Sequence, residues 1–401
     1  MRWRSLILLL SLGCHSRSSS SSSSSDGPRA LFMLDVGSKI RRAVLSTTGD
    51  IVVSTESELL GLRDGERAWA ESLKLAPFLL AISDGAVVTR GADSRLVAFD
   101  ARTGRVVFSV GSRVETELPL DKQDLETLGR FAWSPPQALA RTSSAGKELL
   151  VAILEDGRIL RISPERCRAK DARACSVVRG RAPFELPRAV ELDVLPDGSL
   201  VVIDIDQIEV VSPTGLPRFE IRAERLLGGA RVVGDRLIVA IDDRLLALDP
   251  KFCDSRELLR FSLPRSSNTT TTATGVPKGC VILSRDRSGL LNAPTLVGDT
   301  LVANASDATF FASERGDDKL DLDAIGPLIA RGDRVITLAS STENRLRFLE
   351  IRPAERSVRE VRLPIELPGL VVSSNDLLLD VSGPYALAGH GSKVALVSLG
   401  P

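Results

Sequence analysis

The sequence predicts an all-β fold, a β-propeller of about eight four-stranded antiparallel blades closed by an N-terminal strand in the last blade. Three observations lead there. Short apolar runs stop at Gly-, Asp- and Ser-containing turns, which is strand-and-hairpin chemistry and not a helical period. The pattern returns on average about every 48 residues, within the range of propeller repeats. The final copy lacks its fourth strand, and an orphan run of strand character stands before the first copy.

The first copy shows the grammar. Residues 43–45 read as a strand, Gly49-Asp50 as a turn and residues 51–54 as the return strand. A turn at Glu56-Ser57-Glu58 leads to a strand at 59–62, Asp64-Gly65 turns again, and 67–70 is the fourth strand. The second copy repeats this with strands at 78–82, 86–90, 95–100 and 106–110. Later copies pivot on Ala145-Gly146, Asp197-Gly198, Gly234-Asp235, Gly298-Asp299, Gly332-Asp333 and Ser382-Gly383. Four antiparallel strands per repeat is the stoichiometry of a propeller blade. The last copy supplies strands at 377–381, 385–389 and 393–399 before Pro401. The run at 30–36 has the length and character to complete it, stitching first blade to last and covering a strand edge that invites aggregation. Two stretches, 111–134 and 253–289, break the rhythm and are the expected contact-making insertions.

Within the repeat, Ala98-Phe99-Asp100-Ala101-Arg102-Thr103-Gly104 followed by Phe108 resembles the repeat of PQQ-like propellers, related to WD40-like ones. Asp64-Gly65 with Trp69, and Thr214-Gly215 with Phe219, keep its glycine-to-aromatic spacing, while Ala247-Leu248-Asp249 keeps only its start. The resemblance implies that Trp69, Phe108 and Phe219 dock each blade on the next. The quinone-binding enzymes of that superfamily use adjacent cysteines, and this sequence has no adjacent pair. No cofactor is expected.

The N-terminus gives an address. Arg2 and Arg4 precede the apolar run SLILLLSL at 5–12, which is far shorter than the ~20 residues of a membrane-spanning helix. The Gly13-Cys14 ending resembles a bacterial lipoprotein signal, with Ser11 where that family usually has Leu. The resemblance implies cleavage after residue 13 and acylation of Cys14. An unbroken serine run at 18–25 follows, which cannot bury apolar surface and reads as a flexible tether. The expected organisation is a signal at 1–13, a tether at 14–28 and a propeller at 29–401. The absence of Asp directly after Cys14 fits outer-membrane sorting, so the expected location is the bacterial cell envelope, lipid-anchored at the outer membrane.

Composition narrows the function. Lys and Arg (52) balance Asp and Glu (52), and aromatics make up 4%, which argues against a nucleic-acid partner. No dinucleotide, P-loop, nucleophile-elbow or C-x-x-C signature is present. His390 is the one histidine of the domain, and Gly389-His390-Gly391-Ser392 reads as a hairpin turn, so no catalytic role is assigned. Asp317, Asp318, Asp321 and Asp323 lack the spacing of a twelve-residue calcium loop and read as a solvated hairpin. Arg331-Gly332-Asp333 spells an adhesion tripeptide but occupies the turn every copy has. Four cysteines remain, and an exported chain retains disulfides. Local pairing, Cys167 with Cys175 and Cys253 with Cys280, staples two irregular stretches. Chain entropy assigns about 2.6 and 3.6 kcal/mol to closing loops of about 9 and 28 residues.

The expected function is a non-enzymatic scaffold binding envelope or outer-membrane proteins. It is similar in signal, length, repeat and blade number to the propeller lipoprotein of the outer-membrane β-barrel assembly machinery. The alternative is a ligand-sensing or glycan-binding propeller lipoprotein. Metabolic labelling with a fatty-acid analogue is expected to mark the wild-type protein and not Cys14→Ser; equal labelling of both removes the anchor.

Overall fold

A computed structural model describes residues 27–72, 80–83, 85–91, 95–111, 115–116, 136–144, 147–169, 175–181, 191–204, 207–222, 229–241, 244–253, 259–260, 279–286, 289–305, 308–368 and 376–400. The signal, Cys14 and almost all of the tether lie outside the described residues. The described chain folds into eight sheets, six of four strands and two of five, arranged as a ring. It is an eight-bladed β-propeller.

Blade 1 comprises Arg42–Leu45, Ile51–Ser54, Glu58–Arg63 and Glu66–Ser72, and blade 2 Leu80–Ser83, Ala86–Arg90, Leu96–Asp100 and Val106–Val110. Blade 3 comprises Pro136–Ser144, Lys147–Leu154, Arg158–Ile162 and Ser176–Arg181, and blade 4 Glu191–Val194, Leu200–Ile203, Gln207–Val211 and Pro217–Arg222. Blade 5 comprises Gly229–Val233, Arg236–Ile241, Arg244–Leu248 and Val281–Asp286, and blade 6 Thr295–Val297, Thr300–Asn304, Thr309–Ser313 and Gly316–Leu320. Blade 7 comprises Ile329–Arg331, Arg334–Ser340, Arg345–Arg352 and Ser357–Glu366. Blade 8 takes Leu377–Ser382, Tyr385–His390 and Lys393–Ser398 from the C-terminal region and Arg29–Asp35 from the N-terminal region. All eight first turns expected from the sequence fall between the first and second strands of a blade, because a two-strand reversal needs Gly or Asp where the backbone turns tightly.

The closing strand lies where the sequence places it. Arg29–Asp35 pairs antiparallel with Lys393–Ser398, with Arg29 opposite Ser398 and Asp35 opposite Lys393. Val36 then donates its backbone N–H to the Ser392 carbonyl, and Ile40 to that of Gly391. The first strand of each blade lies innermost. Neighbouring inner strands meet around the ring, and that of blade 8 meets that of blade 1.

Eight apolar clusters hold the ring, one between each pair of neighbouring blades. A propeller strand is buried on both faces, so its middle residues read as continuous apolar runs. Ile51–Ser54 and Leu200–Ile203 are buried throughout. Between blades 7 and 8, the fully buried Phe348 packs among Leu338, Leu363, Ala388 and Val397.

The structure departs from the expectation in three places. Blades 3 and 4 carry a fifth strand, Glu115–Thr116 and Leu259–Arg260, each running parallel to the outer strand. Cys167 sits in a short helix, Pro164–Arg168, and not in an irregular stretch; Pro164 at its first position suits a helix start, where an N–H lacks a partner. The two rhythm-breaking stretches leave from opposite faces. Residues 111–134 follow the outer strand of blade 2, whereas 253–289 begin in the turn between the third and fourth strands of blade 5. Residues 112–114, 117–135 and 261–278 lie outside the described residues.

Deleting residues 29–35 is expected to lower the urea midpoint of unfolding and raise the aggregation rate, because it uncovers the outer edge of blade 8 and unlatches the ring. An unchanged midpoint would refute the role of the closing strand.

Candidate interaction surface

Docking between blades follows one local device. Trp69 in the outer strand of blade 1 stands opposite Gly61, beside a bulge in the pairing. Its indole Nε1 donates to the Ala101 carbonyl of blade 2 at 2.9 Å. A Cβ on Gly61 would lie 2.0 Å from that nitrogen, and one on Gly104, at φ +71°, would lie 2.6 Å from the ring. Two glycines therefore frame the indole, one from each blade. Phe108 stands opposite Ala98, and Phe219 opposite Val210, each again beside a bulge. Both phenylalanines are buried against the following blade.

The disulfides belong to the same device. Trp69 rests on the turn between the third and fourth strands of blade 2. In blades 3 and 5 that turn is replaced by a long excursion, at 163–175 and 249–280. Cys167–Cys175 closes the neck of the first with Cα atoms 4.4 Å apart, and Cys253–Cys280 the second with Cα atoms 4.6 Å apart. Cys167 is buried in the cluster that holds Phe108, and both Cys253 and Cys280 in the cluster that holds Phe219. Each bridge thus gives the preceding blade's phenylalanine a compact platform where the Thr-Gly turn is absent. Blade 3 has Gly180 in place of the aromatic, and there the Thr214-Gly215 backbone of blade 4 packs directly on it.

Two aspartates that sequence reasoning passed over latch the inner strands. Asp193 Oδ2 accepts from the Val232 N–H of blade 5 at 2.7 Å, and Oδ1 from Val194 at 2.8 Å. Asp380 Oδ2 accepts from the Leu45 N–H of blade 1, and Oδ1 from Val381, both at 2.8 Å. Both lie in a Leu-Asp-Val triplet, but so does the exposed Asp35 of the closing strand, so the sequence alone does not mark them. Burial pushes both carboxyls above the ordinary range, against the opposing pull of these backbone donors and of Arg231 and Arg141 respectively. Burial lowers Arg231, partly countered by Asp193 and Glu191.

The other sequence candidates are dispersed. Asp317 pairs with Arg285 at 2.8 Å, Asp318 with Arg356 at 2.6 Å, and Asp321 with Lys319 at 3.7 Å. No group of three or more potential metal ligands converges among the described residues. His390 ends a strand opposite Lys393, next to the Gly391 turn. Arg331-Gly332-Asp333 forms the first hairpin turn of blade 7.

Of the clefts that open on the face carrying the first and third hairpins, two lie at blades 1 and 2. A cleft of about 720 Å³ spans blades 8, 1 and 2, lined by Phe32, Asp50, Arg63, Asp100, Arg102 and Tyr385 among others. Arg63 bonds Asp50 at 2.8 Å and donates to the Arg102 carbonyl at 3.1 Å, which braces its floor. A second, of about 370 Å³, is lined by turns of blades 1 and 2 with Arg141 and Ser382.

Solved structures with the same architecture have little sequence in common with this chain. The computationally designed Ika8 protein aligns with a TM-score of 0.55 at 14% identity, covering 92% of this chain and 99% of that one. BamB from Moraxella catarrhalis aligns with a TM-score of 0.54 at 13% identity, covering 92% and 97%. The Pan2 WD40 domain of Neurospora crassa aligns with a TM-score of 0.50 at 9% identity, covering 94% and 96%. No family model and no curated protein matches the sequence. At these identities the likeness shows the propeller fold alone.

Asp380→Ala is expected to cost about 1–3 kcal/mol, because it strands the Leu45 N–H. The raised carboxyl contributes stability that is fully present below its ordinary value of 3.8 and falls as pH rises through its folded value. Urea unfolding of wild type and variant at pH 3.5 and pH 7 is therefore expected to show the larger gap at pH 3.5; a larger gap at pH 7 would contradict the burial effect.

Proposed function

We propose that the protein is a membrane-tethered, non-enzymatic propeller scaffold that holds protein partners at the bacterial cell envelope. The observation that carries this reading is the rim of blades 3 and 4. Two stretches from opposite faces each lay a parallel fifth strand on the outer edge of one of these neighbouring blades. Two insertions thus leave the ring through neighbouring blades, and insertions are where a repeat fold makes its contacts. The lipoprotein-like signal and the serine run supply the address, an acylated Cys14 at the outer membrane. The partners proposed are envelope proteins, and the process proposed is outer-membrane protein assembly. That last step rests on the resemblance of signal, length, repeat and blade number, with the fold likeness to BamB as support. The polar cleft across blades 8, 1 and 2 favours the second reading, recognition of a glycan or other small ligand.

Replacing residues 117–134 and 261–278 with short Gly-Ser linkers is expected to reduce partner capture in membrane cross-linking at least tenfold while leaving the unfolding midpoint within error. His390→Ala should leave capture unchanged. Undiminished capture in both loop variants would remove the rim as the contact surface. Quinone- or metal-dependent turnover by the purified protein would overturn the scaffold reading. Loss of glycan binding in Tyr385→Ala, with capture intact, would support the second one.

A further inference from the structure

We infer that the face carrying the first and third hairpins of every blade is the side the propeller turns toward the lipid surface. This rests on the acylated Cys14 proposed above and adds an orientation to it.

Chain geometry supplies the first argument. Arg29 lies opposite Ser398, where the third strand of blade 8 ends on the hairpin face, so the N-terminal segment joins the ring at that face. Gly27 lies beside Arg359, near the start of the outer strand of blade 7 and at the same end. Cys14 precedes Arg29 by 15 residues, a reach of at most about 50 Å even when fully extended. The hairpin face is therefore the near side.

Exposed apolar side chains supply the second argument. Among the described residues Leu216 (67% exposed), Val106 (61%) and Phe252 (56%) are the most exposed large apolar groups. All three lie in or directly after a turn between third and fourth strands, which places them on the hairpin face in blades 4, 2 and 5. Leu31 and Ile282, also exposed, lie within the first three residues of outer strands that begin at that face. Met33 sits mid-strand. Single exposed apolar residues are ordinary, but Leu216, Val106 and Phe252, the three most exposed, share one end of the ring, and water-exposed Leu and Phe gain by entering an interface.

The test uses the full-length protein purified from membranes and inserted into vesicles of phosphatidylethanolamine and phosphatidylglycerol. Leu216→Cys on the hairpin face and Glu343→Cys on the opposite face, both exposed, are labelled with a small thiol-reactive fluorophore and quenched by a shallow nitroxide lipid. The expected result is at least threefold stronger quenching at position 216. Equal quenching, or stronger quenching at position 343, in protein shown by mass spectrometry to be acylated overturns the orientation alone. Protein with no acyl chain overturns the anchor, and the orientation with it.

Discussion

The structure depends on the packing of each blade against the next. A four-stranded blade is apolar on both faces and stable on neither face alone, so the ring exists only because eight interfaces are made at once. Any open ring would leave two apolar faces and their unpaired edges in water. The closing strand matters for that reason. It joins blade 8 to the chain that begins blade 1, so the last interface forms between segments from opposite ends of the sequence.

The docking aromatics and the disulfides are two answers to one geometric demand. The outer strand of a blade must meet a compact surface at the turn between the third and fourth strands of its neighbour. Where that turn is Ala101-Arg102-Thr103-Gly104, the missing Cβ of Gly104 admits the Trp69 indole. Where the turn has grown into an excursion, a disulfide restores the compact neck, and the phenylalanine of the preceding blade packs there. This arrangement lets a turn lengthen without loosening the ring. The aspartate latches on the inner strands of blades 4 and 8 act on the channel side, where a side-chain carboxylate satisfies a backbone donor that the neighbouring inner strand leaves unpaired.

The surface is not uniform. The chain joins the ring on the face where Leu216, Val106 and Phe252 are exposed. The rim between the two faces carries the fifth strands of blades 3 and 4. In the proposed arrangement that face would meet lipid and the rim would meet protein.

The sequence by itself determined the fold class, the blade count and the closure. Each turn needs Gly or Asp at a fixed place between apolar runs, and that chemistry is local, so residues 49–50 and 382–383 are legible without the rest of the molecule. It favoured the local one of three cysteine connectivities, which the structure forms, because each local pair closes a short stretch of irregular sequence. Only the tertiary structure decided that these bridges lie under Phe108 and Phe219, that the interruptions edge neighbouring blades, and that Asp193 and Asp380 are buried latches. A single strand carries no record of which residue of the next blade will face it. A Leu-Asp-Val triplet reads the same in water as in a channel wall, and only the meeting of inner strands far apart in sequence takes its carboxylate out of solvent.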